Sequence, residues 1–155
     1  MTMSEIEEIV KPLSESGGDL FWQGQANEAS VRRVEELLGV KLPTSLISFL
    51  LKFGGGGVVG EEISGIEANN PNLMHKGTIL GDSERCRKEF RLPPTLAVVY
   101  YTDDGVCWCV DCSKRDESGE SPVVSYSIFK HKIDAEIAPA FSDFLKQYVE
   151  LRASR

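Results

Sequence analysis

The stretch LGVKLPTSLISFLLKFGGG, residues 38–56, carries the signals that decide the fold prediction. Gly39 follows a periodic apolar run, and a glycine at that place is typical of a helix C-terminus. Pro43 suits the first turn of a new helix, because the N–H that it lacks would have no helical partner there. Only two of the eight residues 46–53 are polar. This pattern predicts a central helix that is covered on most sides and ends at Gly54.

The sequence before this stretch predicts two further helices. Ser4 and Glu7 match a capping box ahead of an apolar run at i, i+3, i+4 and i+7, and this helix is predicted to end near Gly17. The aromatic residues 21–22 then fall in a connector, where we expect them to pack over the core. Asn27 can cap a second helix that runs to the stretch quoted above.

The sequence after this stretch changes to a pattern of strands. The predicted elements are, in chain order, a short strand over 61–67, a helix over 80–91, three strands over 96–102, 106–111 and 123–129, and a closing helix that includes Ile137. Asp104-Gly105 is a preferred two-residue hairpin turn. N-terminal helices, a strand meander with one intervening helix and a closing helix predict a single α+β domain over residues 1–155. Its sheet is expected to be antiparallel, unlike that of an alternating α/β fold.

The charge of the chain limits the partners that it can bind. The 155 residues include 17 basic and 24 acidic ones, for a formal net charge of −7. This balance disfavours direct nucleic-acid binding, which needs basic residues that neutralise phosphates, and it favours a basic protein partner. No apolar run reaches the ~18 residues of a membrane span. The acidic N-terminus lacks the features of a signal peptide, so we expect a cytoplasmic protein.

The glycine-rich run FGGGGVVG, residues 53–60, does not predict a phosphate site. No Lys-Ser or Lys-Thr pair follows it, as a P-loop requires, and the run leaves a helix instead of entering one. A helix C-cap followed by a tight turn accounts for these glycines.

The cysteine spacing does not predict a zinc site. Cys107 and Cys109 share one face of a predicted strand, and Cys112 falls on the other face, so the three thiols would converge only if the strand bends. Cys86 lies far away in the sequence. We expect free cysteines that are buried or half-buried.

Asp103, Asp104 and Asp111 form the best carboxylate cluster for acid–base or metal chemistry. A hairpin turn accounts for the first two and a strand end for the third. Neither His75 nor His131 has a carboxylate or nucleophile close to it in the sequence. We therefore expect a binding protein without catalytic residues, cofactor or metal, and a metal-dependent enzyme built on the three aspartates stays an alternative.

Residues 38–56 resemble the opening motif of the SUKH superfamily, which includes bacterial immunity proteins and fungal regulators of cell-wall synthesis. The matching positions are Gly39, Leu42, Pro43, Phe49, Leu50, Gly54 and Gly55. The resemblance covers residues 27–148 and includes a second block formed by Pro93-Pro94, Asp104-Gly105, Asp111, Pro122–Val124 and the closing helix with Phe141, Phe144 and Leu145. Phe53 departs from the pattern, because a typical member has Asn there.

The resemblance implies helices packed on an antiparallel sheet, no catalysis, and protein binding. In bacteria the partner is most often a toxin that the protein neutralises, frequently a nuclease of a polymorphic or contact-dependent system. An acidic inhibitor suits such a target, because nuclease domains tend to be basic where they hold nucleic acid. A regulatory scaffold that binds an endogenous partner, as in fungal cell-wall regulation, stays the alternative.

Acidic side chains on exposed rims are the residues that we expect to contact the partner, together with one tyrosine as an aromatic anchor. These candidates are Glu61, Glu62, Glu67, Tyr101, Asp103, Asp104, Asp116, Glu117 and Glu120. The sequence does not indicate an oligomeric state.

Overall fold

A computed structural model describes all 155 residues. Its elements are α1 (Met3–Glu15), β1 (Leu20–Trp22), α2 (Glu28–Leu38), α3 (Thr44–Phe53), β2 (Gly56–Val58), a 3₁₀ turn (Glu67–Asn69), α4 (Ile79–Phe90), β3 (Leu96–Tyr101), β4 (Cys107–Asp111), β5 (Val123–Ser127), β6 (Lys132–Ala138) and α5 (Phe141–Ala153). This architecture confirms the predicted α+β class with an antiparallel sheet.

Four strands form the main sheet, in the order β3-β4-β5-β6. All neighbours are antiparallel, so consecutive connections lie at alternating ends of the sheet. The β3–β4 turn (102–106) and the β5–β6 turn (128–131) share one end, which we call the turn end. The β4–β5 connection (112–122) lies at the opposite end, which we call the loop end.

Both faces of the main sheet are covered. Val110 belongs to the larger hydrophobic core, which includes residues of α1, α3 and α5. Cys107 and Cys109 face the other way, into a smaller core with Cys86 of α4. The predicted alternation of β4 is therefore confirmed, and Cys112 packs on the larger core, as expected for the opposite face.

Helix α3 is the central helix that its sequence predicts. Leu46, Phe49 and Leu50 are completely buried. The ring of Phe49 lies 5.4 Å from that of Phe141, measured between centroids, so α3 packs directly on the start of α5. Gly54 ends the helix in the left-handed conformation, as predicted.

The capping box of α1 lies two residues before the predicted one. Thr2 is the N-cap and Glu5 completes the box, so the prediction of Ser4 with Glu7 is wrong. The Ser48 hydroxyl donates a hydrogen bond of 2.6 Å to the carbonyl oxygen of Met1. This bond holds the chain ahead of the helix and allows α1 to begin earlier.

A second, two-stranded sheet pairs β1 with β2, and the sequence does not predict it. Residues 21–22 therefore lie in a strand instead of a connector. Trp22 covers the core as expected, with its ring 4.4 Å from that of Phe53. The same expectation is wrong for Phe21, which is 49% exposed and does not pack on the core. The contact with Trp22 gives Phe53 a packing role at the position where it departs from the SUKH pattern.

The glycines near the end of α3 allow backbone segments to cross at close range. Gly54 has φ +77°, and a Cβ atom there would lie 1.7 Å from the carbonyl oxygen of Gly24. A Cβ atom on Gly65 would lie 1.9 Å from the carbonyl oxygen of Gly54. These positions leave no volume for a side chain. The glycine-rich run thus ends a helix, as predicted, and then forms β2, which the sequence does not predict. The predicted tight turn follows β2 at residues 59–60.

Residues 61–67 do not form the predicted strand. Two isolated bridges, Gly56 with Ile63 and Gly65 with Thr78, are the only sheet-like pairings of this segment. Residues 61–67 are held by other backbone segments that cross them. A local pattern of alternating residues does not indicate such crossings.

Strand β6 is also absent from the sequence prediction. Ile137 lies in this strand, so α5 begins at Phe141 and not in the region of Ile137. Irregular pairing between β5 and β6 occurs at two places, and the first five residues of β6 are exposed. The strand therefore lacks the alternation of buried and exposed residues that would predict it.

Candidate functional site

Four of the nine candidate residues line one groove at the turn end of the main sheet. The groove has a volume of about 370 Å³. Its lining is Gly60, Glu61, Glu62, Ser64, Lys76, Gly77, Asp82, Tyr100, Tyr101, Thr102 and Asp103. Carboxylates and tyrosines dominate this lining, which suits a cationic or polar guest more than an apolar one.

Tyr148 of α5 fixes the wall of the groove that carries Glu61. Its hydroxyl donates to the carbonyl oxygen of Glu61 at 2.7 Å and accepts from the N–H of Val58 at 2.9 Å. Burial raises the pKa of Tyr148 to about 12, so the hydroxyl keeps the proton that it donates. A side chain from the last helix therefore sets the path of the chain between β2 and the groove.

Two arginines at the C-terminus pair with Glu61. Arg155 donates two hydrogen bonds to this carboxylate, of 2.7 and 2.8 Å, and Arg152 donates one of 3.2 Å. The hydrogen bonds from Arg155 hold the pKa of Glu61 below its ordinary value. Glu61 therefore joins the C-terminus to the groove, and its charge is already compensated within the chain.

We expect Glu61→Gln to lower the melting temperature at pH 7 by about 2 °C, a small effect because solvent screens ion pairs with an exposed partner. The lowered pKa means that the carboxylate stabilises the fold above its unfolded-state pKa and loses this contribution as the pH falls through its folded-state pKa. The difference between variant and wild type should therefore disappear in acid. Thermal denaturation between pH 2.5 and 8 measures it, and an equal difference at every pH would contradict the ion-pair role.

The remaining carboxylates of the turn end, half-buried Glu62 and exposed Asp103 and Asp104, differ in their partners. Lys76 pairs with Asp103. Glu62 accepts a hydrogen bond of 2.7 Å from the N–H of Gly60, and Asp104 accepts one from the hydroxyl of Thr102. Neither Glu62 nor Asp104 forms an ion pair within the chain. These two carboxylates keep uncompensated negative charge.

Asp82 lies at the inner side of the groove and is almost fully buried. The Ser64 hydroxyl donates to it at 2.7 Å, and the N–H of Gly77 lies 3.2 Å from each of its oxygens. Burial raises the pKa of Asp82, although these hydrogen bonds partly offset that effect. Asp82 thus ties two loops of the groove to α4, and no sequence motif identifies it.

Tyr101 and Glu67 occupy less central positions. Tyr101 is half-buried against the smaller core, and burial raises its pKa. It therefore presents only part of its ring to the groove. Glu67 lies outside the groove lining and contacts Nδ1 of His75 at 3.2 Å.

A protein-family model matches most of the chain. The SUKH_5 model, described as SMI1-KNR4 cell-wall, matches residues 6–150. The chain belongs to this family. The match confirms the resemblance and extends it to include α1, which lies before the 27–148 region on which the resemblance was based. Membership of the SMI1-KNR4 family supports a non-catalytic, protein-binding role in general. None of the helices combines the length and apolarity that crossing a membrane requires.

Three candidates of this SMI1-KNR4 family protein lie at the loop end, away from the groove. Glu120 accepts hydrogen bonds from the backbone N–H of Ser45, at 3.2 Å, and from its hydroxyl, at 2.8 Å, and so caps α3. Asp116 accepts hydrogen bonds from two N–H groups of its own loop. Glu117 is exposed and makes no side-chain hydrogen bond. Glu120 thus joins this loop to α3, and the hydrogen bonds of Asp116 hold the loop itself.

The three aspartates of the enzyme alternative do not lie together. Asp103 and Asp104 are at the turn end, whereas Asp111 is buried at the far end of β4, roughly 13 Å along the strand from Cys107. The Ser113 hydroxyl donates to Asp111 at 2.6 Å. No group of three or more His, Cys, Asp and Glu side chains is arranged to hold a metal ion. This separation removes the carboxylate cluster on which the enzyme alternative was based.

The three buried cysteines, Cys86, Cys107 and Cys109, pack within the smaller hydrophobic core. The sulfur of Cys107 lies 4.0 Å from that of Cys86 and 3.8 Å from that of Cys109. Contact with the Cys107 thiol, together with burial, raises the pKa of Cys86. Burial raises the pKa of Cys112 to about 12. A protonated, enclosed thiol is a poor nucleophile and a poor metal ligand.

One exposed residue of the turn end was missed by the sequence analysis. Phe129, in the β5–β6 turn, is 81% exposed, more than any other large hydrophobic residue of the chain. The sequence prediction placed it in the last strand of the meander. The run Phe-Lys-His-Lys that begins at Phe129 contains none of the residues that typically mark a turn, so no local signal indicates that the strand ends before Phe129.

Proposed function

We propose that this protein is an immunity protein, which binds a toxin domain with a basic surface and blocks it. The observation that carries the proposal is the turn end, where Glu62 lines the groove and Asp104 lies on the adjacent β3–β4 turn, and neither carboxylate forms an ion pair with a cation of the chain. Membership of the SMI1-KNR4 family and the net charge of −7 are consistent with it. Electrostatic attraction between such surfaces accelerates association.

The ion pairs within the chain at the turn end support a basic partner. Arg155 forms two parallel hydrogen bonds with Glu61, and Lys76 pairs with Asp103. Carboxylates at this end of the sheet therefore accept guanidinium and ammonium groups in the geometry that proteins use at interfaces. Arginine or lysine side chains of a partner would find the same acceptors at Glu62 and Asp104.

A survival assay tests the proposal. Cells that express a toxin domain encoded beside the gene should survive when this protein is co-expressed and die when it is absent. The purified protein should also inhibit the activity of the toxin domain. If no toxin encoded by the source organism or its close competitors is neutralised, the immunity proposal is wrong. The regulatory alternative, to which the cell-wall description of the family points, would then take its place.

The double variant Glu62→Gln/Asp104→Asn is expected to slow association with the toxin about tenfold at low salt, because electrostatic steering is reduced. Both replacements keep a hydrogen-bond acceptor, and Asn is common in turns, so the fold should be preserved. Stopped-flow or biosensor measurements at 20 and 300 mM salt give the rates.

The matched control is Glu117→Gln/Glu136→Gln, which removes the same charge from exposed positions near the loop end. It should change the association rate by less than twofold. Equal slowing by the two double variants would mean that net charge, and not the turn end, attracts the partner.

A further inference from the structure

Phe129 lies against the β3–β4 turn, and Asp103 of that turn lines the groove. A Cβ atom on Gly105 would lie 3.3 Å from the ring of Phe129, so the ring lies against the turn that also carries Asp104. Phe129, Asp104 and the groove lining thus follow one another along the turn end. The absence of a side chain at Gly105 leaves the space in which the ring lies.

The turn that carries Phe129 is held in place by hydrogen bonds. The N–H of His131 donates to the carbonyl oxygen of Ser127 at 2.9 Å, and the N–H of Lys130 donates to the Ser127 hydroxyl at 3.0 Å. Ile128, the preceding residue, is buried in the smaller core. The backbone therefore presents the ring in a fixed place, which lowers the entropy that a partner must remove on binding.

The charges on the two sides of Phe129 have opposite signs. Asp104 lies on the side of β3 and β4, and Lys130 and Lys132 lie on the side of β6, the edge strand. A basic partner is attracted to the first side and repelled by the second. Phe129 therefore stands at the boundary of the surface that such a partner can cover.

We infer that Phe129 is the apolar anchor of the partner interface. This inference rests on the proposed function and specifies the partner further. The partner is a basic protein surface with an apolar pocket that receives the phenyl ring, next to a lysine or arginine that faces Asp104. Exposed aromatic residues that enter a pocket are the kind of side chain that dominates binding energy in protein interfaces.

The test uses the purified toxin domain against which the protein protects cells. Phe129→Ala should weaken binding of this domain at least tenfold, mainly through faster dissociation. Because the side chain is largely exposed, the variant should keep the melting temperature of the wild type. Leu151→Ala on α5 is the matched control, since Leu151 is 67% exposed and its replacement should change the affinity less than twofold.

The outcomes separate this inference from the proposed function. If Phe129→Ala binds as tightly as wild type while Glu62→Gln/Asp104→Asn binds more slowly, the groove acts alone and the anchor is refuted. A tenfold loss of affinity in Lys130→Gln would mean that Lys130 contacts the partner. Phe129 would then not lie at the boundary of the surface that the partner covers. If wild type forms a dimer that Phe129→Ala abolishes, a second copy covers the ring and the inference is wrong. If no toxin domain binds wild type, both proposals fall.

Discussion

Gly54→Ala is expected to lower the free energy of unfolding by at least about 4 kcal/mol. Losses of this size are exceptional and occur where the surrounding structure cannot adjust to the new side chain. The new methyl group would lie 1.7 Å from the carbonyl oxygen of Gly24. The carbonyl belongs to the backbone and the position of the Cβ atom is fixed by the backbone of residue 54, so no side-chain rotation relieves the overlap. The positive φ of Gly54 adds the ordinary cost of a left-handed alanine, about 1 kcal/mol. Urea denaturation measures the effect, and a largely unfolded variant would agree with it.

Gly39→Ala is the matched control for this prediction. Gly39 also ends a helix with positive φ, +71°, but nothing lies within 4 Å of the position that its Cβ would take. This variant should lose only about 1 kcal/mol. Equal losses at Gly39 and Gly54 would mean that conformation alone matters and that the close crossing of the chain near Gly24 does not.

Tyr148→Phe is expected to lower the free energy of unfolding by about 2–3 kcal/mol. The change leaves the N–H of Val58 and the carbonyl oxygen of Glu61 without the hydroxyl that serves both, in a place largely closed to water. Since Glu61 lies in the groove wall, amide hydrogen exchange at residues 58–62 should also accelerate. Chemical denaturation and hydrogen exchange measure the two effects.

Tyr100→Phe serves as the control, because Tyr100 is also buried and lines the same groove. Its hydroxyl has only a long contact of 3.5 Å with Arg152. We expect a loss below about 0.5 kcal/mol, since little hydrogen-bond energy is removed. If Tyr148→Phe were as mild as Tyr100→Phe, the hydroxyl of Tyr148 would not hold the groove wall.

The elements that the sequence predicts well are those with local signals. Helix α3 is bounded by Pro43 and Gly54, and its apolar run reports directly on burial, so its limits and its central place could both be predicted. The hairpin of β3 and β4 could be predicted in the same way, from Asp104-Gly105 between two apolar runs. The predicted two-residue turn is wrong in length, because Thr102 pairs with Val106 and the three residues 103–105 form the loop. In each case the information lies within about a dozen residues.

The elements that the sequence analysis missed depend on distant partners. Strand β2 is made largely of glycine and exists because β1, more than 30 residues earlier in the chain, pairs with it. Strand β6 is exposed and irregularly paired, and it resembles a loop in its pattern. Strand formation at these places follows from tertiary context, which overrides local propensity.

The sequence predicts only part of the candidate site, because the site also depends on contacts between residues that are distant in the sequence. Acidic residues could be recognised as candidates, but not which of them share a surface. The pairing of Glu61 with Arg155, 94 positions later, and the capping of Ser45 by Glu120, 75 positions away, are set by the fold. Without the fold, a carboxylate in a structural role and an uncompensated one such as Glu62 look alike.

Hydrogen–deuterium exchange, with and without the toxin domain proposed as the partner, tests most directly whether the turn end of the main sheet is the binding surface. Residues 60–62, 101–105 and 128–130 should be protected in the complex, and exchange at 113–120 of the loop end should not change. Protection confined to residues 113–120, or to the helices away from the groove, would contradict this prediction.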